Sequence, residues 1–293
     1  ETAAAASAAT FGPGVPVAYV GTGASFPDAL AGGPAGGHRG GPVLLTAKDS
    51  LPAATKAELV RLKPAEIVVL GGTTAVSSTV AGQLATLAPK TSRIAGTNRY
   101  ETAAELSERT FGTGVPVAYV ATGSTFPDAL AGGPAGGFRG GPLLLTGTST
   151  LPTATINELK RLAPASIVVL GGPTAVSDAV VSKLRSYSSS VARVAGADRY
   201  ETAVETSKRT FSRGVPVVFV ATGANFPDAL AGGPLGGHLG GPVLLTRKDS
   251  LPSVTANELL RLAPRRVIVL GGTGAVSTAV AKRLYNYEEP STS

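Results

Sequence analysis

Three aspartates, Asp28, Asp128 and Asp228, recur at intervals of one hundred residues, each inside the stretch FPDALAGGP. Two chemistries are open to a carboxylate in that setting. As one of a pair it does acid–base work, one group giving a proton while the other takes one. Alone in the first turn of a helix, it satisfies backbone N–H groups and complements the helix dipole. One acid per copy makes a poor pair, although faces of adjacent copies could supply two. The cap is the simpler reading. Contact with a ligand is the alternative, because open α/β sheets bind ligands just beyond the carboxyl ends of their strands.

Arginine recurs as well: Arg99 and Arg199 precede Tyr in RYETA, and Arg93 and Arg193 open R[IV]AG. A cation beside a helix N-terminus opposes the dipole, so it calls for an anion or a carboxylate partner. A bound ligand and an acid of the neighbouring copy explain it equally well. Other chemistries find no residues here. The chain has no cysteine, hence no thiolate and no disulfide framework. It contains no GxxxxGK[ST], HExxH, GxSxG or calcium loop. His38 and His238 are matched in the middle copy by Phe138, and a catalytic histidine is not exchanged for phenylalanine in a unit doing the same job. The turns after Leu70, Leu170 and Leu270 are glycine-rich but lack the GxGxxG spacing and the acid that would hold a ribose. No catalytic residue, metal or cofactor is expected.

The elements that must position these residues are spelled three times, at Val15–Thr46, Val115–Thr146 and Val215–Thr246. In each copy an apolar run such as VPVAYV reads as a buried strand. Ser25, Thr125 or Asn225 is placed to cap the following helix, with Pro in its first turn. That helix carries almost only small residues, Gly-Gly-Pro pairs are expected to break it, and VLLT or LLLT returns as a second strand. Thr150, like Ser50 and Ser250, is placed to cap LPTATINELKRLAP, which buries Leu159 and Leu162 and stops at Pro164. Ser166–Leu170 is a third strand. Ser177 starts a helix burying Val180, Val181 and Leu184, and Arg193–Gly196 suits an edge strand. Asn98 with Glu101, and Asp198 with Glu201, have capping-box spacing before the next helix. Continuous apolar strands alternating with helices predict an α/β fold of parallel sheets covered on both faces. The joints between copies are too short for tethers, so a compact pseudo-threefold cluster is expected, with repeats at 1–92, 93–192 and 193–293.

Composition agrees with a globular chain: 293 residues, 43% hydrophobic and 15% charged. Its apolar runs are far shorter than the roughly 20 residues of a membrane span. The net charge of +7 favours anionic partners. There is no methionine, which reads as a processed or trimmed fragment, and EEPSTS at the end resembles a linker to a further effector domain.

Taken together, R[IV]AGxxRYETA (Arg93–Ala103, Arg193–Ala203), FPDALAGGP, GGP[VL]LLT and [IV][VI]VLGGxxAVS resemble the cell wall binding repeat 2 family of Gram-positive bacteria over nearly the whole chain. The resemblance implies three tandem Toprim-like or Rossmann-like modules forming a pseudo-trimer. It implies an exported protein held non-covalently at the cell surface by an anionic wall polysaccharide or teichoic-acid-like polymer, with no membrane span and no nucleic acid partner. The family's proline-aliphatic-leucine-leucine segment corresponds to Pro42–Leu45, Pro142–Leu145 and Pro242–Leu245. Toprim enzymes carry metal-binding acids at strand ends where this chain reads GTG, ATG or LGG, so the likeness is one of topology. One departure stands out: the first copy begins at Glu1 without the RxAGxxRY lead-in. One sheet is therefore expected to lack an edge strand, and the helix near Glu1 its cap, making Glu1–Thr10 the least protected of its kind and the open edge a start for oligomerisation.

Two functions follow. The first is a non-catalytic wall-binding module, with Asp28, Asp128, Asp228, Arg93, Arg99, Arg193 and Arg199 as candidate ligand contacts. The second is an enzyme acting on wall glycan or a phosphorylated sugar through the three aspartates.

Overall fold

The computed structural model describes residues 1–24 and 27–289. The first module runs α1 (Thr2–Ala8), β1 (Ala18–Thr22), α2 (Pro27–Leu30), α3 (Gly32–Arg39), β2 (Val43–Thr46), α4 (Ala53–Leu62), β3 (Glu66–Leu70), α5 (Ser78–Ala85) and β4 (Lys90–Ile94). The second runs α6 (Arg99–Thr110), β5 (Ala118–Thr122), α7 (Pro127–Arg139), β6 (Leu143–Thr146), α8 (Thr153–Leu162), β7 (Ile167–Leu170), α9 (Asp178–Leu184) and β8 (Val191–Val194). The third runs α10 (Arg199–Thr210), β9 (Val218–Thr222), α11 (Pro227–Leu239), β10 (Val243–Thr246), α12 (Ser253–Leu262), β11 (Val267–Leu270) and α13 (Thr278–Tyr285).

Every recorded strand pair is parallel, and the sheet orders are β2-β1-β3-β4, β6-β5-β7-β8 and β10-β9-β11. The first strand of each module is thus central, and the chain reverses its winding between the first and third strands. That is a doubly wound α/β sheet. The central strands are buried along their whole length, which is why they read as apolar runs instead of alternating. The boundaries read from the sequence, 92/93 and 192/193, fall inside β4 and β8, which pair with β3 and β7. Among the described residues the third sheet has no fourth strand, and Ile268 and Val269 are half-buried where Val68, Val69, Val168 and Val169 are buried. Glu1 at the start of α1 makes no side-chain cap.

Some local expectations need correction. Thr125 and Asn225 do not cap their helices; Phe126 and Phe226 hold the N-cap position without a side-chain hydrogen bond, and Pro at the first helical position opens the helix. Ser25 lies outside the described residues. Thr150 and its counterparts are not caps either, because Pro52, Pro152 and Pro252 stand there. In the second and third copies the first Gly-Gly-Pro does not break the helix, Pro134 and Pro234 riding inside α7 and α11, whereas in the first copy the helix is interrupted at Ala31, directly before it. The helix stops only at Gly140 and Gly240, whose left-handed backbone, φ 68° and 76°, glycine adopts without strain. Ser177, Asn98 and Asp198 cap as read, and Ser77 and Ser277 repeat the cap of Ser177. The side chains of Ser77, Ser177 and Ser277 accept from the third residue on, and those of Asn98 and Asp198 accept two backbone N–H groups each. Glu101 and Glu201 reach back one residue beyond a regular capping box, accepting from the amides of Thr97 and Ala197 at 2.7 Å.

The expected pseudo-threefold cluster is present. α3, α7 and α11 pack on one another at its centre, while α6 sits on α2 and α3, α10 on α7 and α1 on α11, closing the ring. Each joint is sealed by a ring pair: His38 on Phe111 at 4.9 Å, Phe138 on Phe211 at 5.1 Å and His238 on Phe11 at 5.0 Å between centroids. The histidine position is one of inter-module packing, which explains why phenylalanine serves there.

Candidate functional site

The aspartates stand where the doubly wound topology puts a ligand crevice. Thr122 ends β5, and its hydroxyl accepts from the amide of Ser124 at 3.2 Å, turning the chain sharply into α7. That places Asp128 in the first turn of α7, beside the glycine turn that follows β7. Gly171 there has φ +103°, and a Cβ added to it would stand 2.5 Å from Oδ2 of Asp128. The glycine is needed twice over, for its backbone and for the carboxylate seated against it. Asp28 against Gly71 and Asp228 against Gly271 repeat the arrangement.

The third wall of the cleft comes from the next module. Arg199 and Thr202 in the first turns of α10 line it, with Gly196 and Asp198, and the cleft encloses about 340 Å³. Arg199 Nη1 donates to the carbonyl of Gly223 at 2.5 Å, so its guanidinium is tied to the third module while lying over the second. Arg99 does the same with Gly123 at 2.5 Å. Burial pushes the Asp128 carboxyl above the ordinary carboxylate range, against the opposing pull of the Thr202 hydroxyl and the Arg199 guanidinium. The carboxylate therefore faces across the module boundary.

Arg93 and Arg193 are placed differently. Each strand β4 or β8 lays its arginine across the end of its own sheet, where Arg93 donates to the carbonyls of Gly71 at 2.6 Å and Val76 at 2.9 Å. Arg193 donates to Gly171 O at 2.7 Å and pairs with Asp178 at 2.8 Å. Burial pushes the Arg93 pKa down. These two arginines brace the glycine turn from behind. The structure thus gathers Asp128 and Arg199 in one cleft and sets Arg93 and Arg193 outside it. Asp228 faces α1, which carries no arginine.

Sequence reasoning missed Thr202 and Thr102. Their signal was the spacing of three from Arg199 and Arg99, which puts both residues on one helix face. A second acid, Asp198, also lines the cleft, but its carboxylate caps α10, accepting from Tyr200 and Glu201 at 2.9 and 3.0 Å. Asn98 takes its place at the first joint. The described residues contain no cluster of three or more metal-ligating side chains, and no described helix is long and apolar enough to cross a membrane. What the cleft offers is one carboxylate acceptor, one guanidinium and several hydroxyls around a polar floor.

Comparison with known proteins agrees with this threefold plan. The chain is 32% identical over 264 residues to the N-acetylmuramoyl-L-alanine amidase LytC of Bacillus subtilis (strain 168), covering 90% of this chain and 52% of the amidase. It is 29% identical over 259 residues to the amidase enhancer of the same organism, covering 88% of this chain and 35% of that protein. The chain thus spans about half the length of the first relative and less of the second. Among solved structures, Cwp6 and Cwp8 from Clostridium difficile share the fold, each with a TM-score of 0.87 at 24% identity; the match takes in 94% and 98% of this chain and 44% and 49% of theirs. The model of cell wall binding domain 2 (CWB2) matches residues 1–81, 93–181 and 193–281, once per module. With all three modules matched, the chain belongs to the cell wall binding domain 2 family.

Proposed function

We propose that this chain is a non-catalytic module that holds an exported protein at the cell surface, binding an anionic wall polymer in the clefts between its modules. The observation that carries the reading is the meeting of Asp128 with Arg199 and Thr202 across a module boundary, at the carboxyl ends of the strands. A carboxylate beside a guanidinium and hydroxyls suits a polyhydroxylated chain, and the net charge of +7 suits an acidic one. Asp28, Asp128, Asp228, Arg99 and Arg199 are the contacts in this scheme, with Arg93 and Arg193 supporting the turn beneath them. Since Asp198 is held as a helix cap, the cleft is better built to bind than to transfer protons.

The test is sedimentation with purified cell walls. Binding through several weak clefts gains from effective concentration, and ionic contacts weaken as the screening length falls from about 10 Å at 0.1 M salt to about 3 Å at 1 M. The protein is expected to pellet with walls at low salt, to be released near molar salt, and to liberate no soluble wall fragments. Pelleting that ignores salt would remove the ionic mechanism, and released fragments would restore the enzyme.

Asp128→Asn separates ligand contact from helix capping. Its binding to walls is expected to fall while its melting temperature holds or rises, because the change relieves a buried charge. The pH dependence has a definite sign. A carboxyl raised in the folded state binds more protons there than in the unfolded chain, so its contribution to stability falls as pH rises from the ordinary carboxylate range through the raised value. The difference in stability between Asp128→Asn and the parent should therefore grow in the variant's favour over that window. Lowered melting with intact wall binding would return Asp128 to a purely structural role.

A further inference from the structure

A second cleft lies on a different part of the molecule, over the face of the first sheet where α6 crosses it. It encloses about 540 Å³, within the range of small-ligand sites. Tyr19 of β1, Glu66 of β3 and Lys90 of β4 come from the sheet, Arg39 from the end of α3, and Arg109 and Thr110 from the end of α6. Two hydroxyls in it, Tyr19 Oη and Thr110 Oγ1, are buried side by side next to Arg39, and neither completes a well-formed hydrogen bond. Tyr19 is only 1% exposed. A buried donor left without an acceptor is costly, and native structures rarely keep two together unless water or a ligand meets them.

The other two copies show that this equipment is not imposed by the fold. At the second joint Thr210 turns its hydroxyl back to the carbonyl of Thr206, at 2.8 Å, where Thr110 leaves the corresponding carbonyl of Leu106 alone. Ser166 and Ser190 stand there in place of Glu66 and Lys90. In the third copy Phe219 and Leu239 replace Tyr19 and Arg39. Among the described residues the charged set with two incompletely bonded hydroxyls therefore occurs once. Its cations outnumber its acid: Glu66 faces Lys90 at 3.1 Å and Arg39 at 3.8 Å, and Arg109 stands in the same cleft, paired outward with Glu105 at 2.7 Å. Burial pushes the Tyr19 phenol up, so it keeps its proton and donates at neutral pH.

We propose that this cleft binds one phosphorylated sugar unit, its phosphate received by Tyr19, Thr110 and Arg39 and its ring hydroxyls turned toward Glu66. Donors arriving from β1, α3 and α6 approach from separate directions, which fits a tetrahedral oxyanion better than a planar carboxylate. Glu66 supplies the acceptor that a sugar hydroxyl needs. As a subsite for a wall polymer the cleft rests on the wall-binding reading above; as a sugar phosphate site it can be tested without walls.

The experiment is a titration of the full chain with glucose 1-phosphate, followed by amide chemical shifts and calorimetry, with glucose and glucuronate as comparisons. Shifts are expected around Tyr19, Glu66 and Leu106–Thr110, from glucose 1-phosphate at millimolar concentration and not from glucose. Tyr19→Phe should weaken binding at least about tenfold, whereas Tyr119→Phe, its counterpart at the second joint, should leave it unchanged. Tyr19→Phe is expected to fold, since Phe219 is fully buried in the same position. No shifts in this cleft, equal effects of the two phenylalanine variants, or a preference for glucuronate would each overturn the proposal. If walls fail to bind the parent while glucose 1-phosphate still shifts Tyr19, the wall-binding reading falls and this site stands. Wall binding without any response to glucose 1-phosphate has the opposite meaning.

Discussion

Arg161→Met is expected to cost about 1–3 kcal/mol of stability, the range for leaving a buried polar group unsatisfied, since Glu158 is buried while the Arg161 side chain is 28% exposed. Arg161 Nε and Nη2 grip both oxygens of Glu158 at 2.7 Å, and Nη2 also donates to the carbonyl of Phe111 at 2.9 Å. The hydroxyl of Ser107 donates to the same carboxylate. The group ties α8 to α6, and it is built again around Glu58 and Glu258. Glu158 is only 4% exposed, so methionine at 161 would strand its charge with one hydroxyl for company. In the double variant Arg161→Met with Glu158→Leu most of the stability should return, since an apolar pair of similar volume often replaces a buried ion pair without loss. Urea unfolding of the parent, both single variants and the double variant measures this. A loss below about 1 kcal/mol for Arg161→Met would mean that the pair behaves like a solvated one.

That ion pair marks a limit of sequence reading. ELVRL, ELKRL and ELLRL recur in the three copies, yet a Glu and an Arg three apart on a helix look the same when both point to solvent. Only the third body, Ser107 of α6, makes the carboxylate a buried one, and it is 51 residues away. The strands were legible because their burial is two-sided and leaves unbroken apolar runs. The threefold cluster was legible from short joints between near-identical units. Caps divided along a physical line. Asn98, Asp198 and the serines at 77, 177 and 277 stand immediately before their helices and cap them, whereas Thr125 and Thr150 are displaced by a proline that fixes the first turn by its own φ.

The candidate cleft was legible in its parts and not in its assembly. Asp128 was singled out by repetition and by its place beyond a strand. Arg199 was singled out because a cation at a helix N-terminus needs a reason. That the two share one cleft depends on which module supplies the neighbouring helix, and a single sequence does not carry that. Arg193 shows the converse. It repeats as faithfully as Arg199, but β8 lays it behind the glycine turn, where it holds backbone carbonyls. The cleft at Tyr19 left no trace in the repeat at all, because its equipment consists of departures from the repeat: Glu66 and Lys90 against serines, Thr110 against the satisfied Thr210.

Replacing Gly33, Gly133 and Gly233 together by alanine is expected to open the ring of modules. At the centre of the cluster the three small-residue helices meet backbone to backbone. A Cβ on Gly33 would stand 2.9 Å from the Cα of Gly133, one on Gly133 would stand 3.1 Å from that of Gly233, and one on Gly233 would stand 3.2 Å from that of Gly33. A turn further on, Gly37, Gly137 and Gly237 repeat the meeting at 3.0 Å each. Overpacking a tight core costs about 1–3 kcal/mol per site when side chains can shift. Here the obstacle is backbone, and each helix is blocked by the next around a closed circuit, so moving away from one neighbour presses on another. The sum over three sites, about 3–9 kcal/mol, takes up much of the roughly 5–15 kcal/mol that a domain holds in reserve. Each module keeps a parallel sheet, and the second and third also keep outer clusters of their own, as in the group around Phe111, Leu159 and Leu184, so secondary structure should survive while the joints part. Circular dichroism should stay close to the parent's, small-angle scattering should report a larger radius of gyration, and wall binding should weaken because the clefts are shared between modules. A triple variant with the parent's radius and melting temperature would show that the helices can separate slightly at little cost, and that the glycines at the axis are not what sets the spacing of the modules.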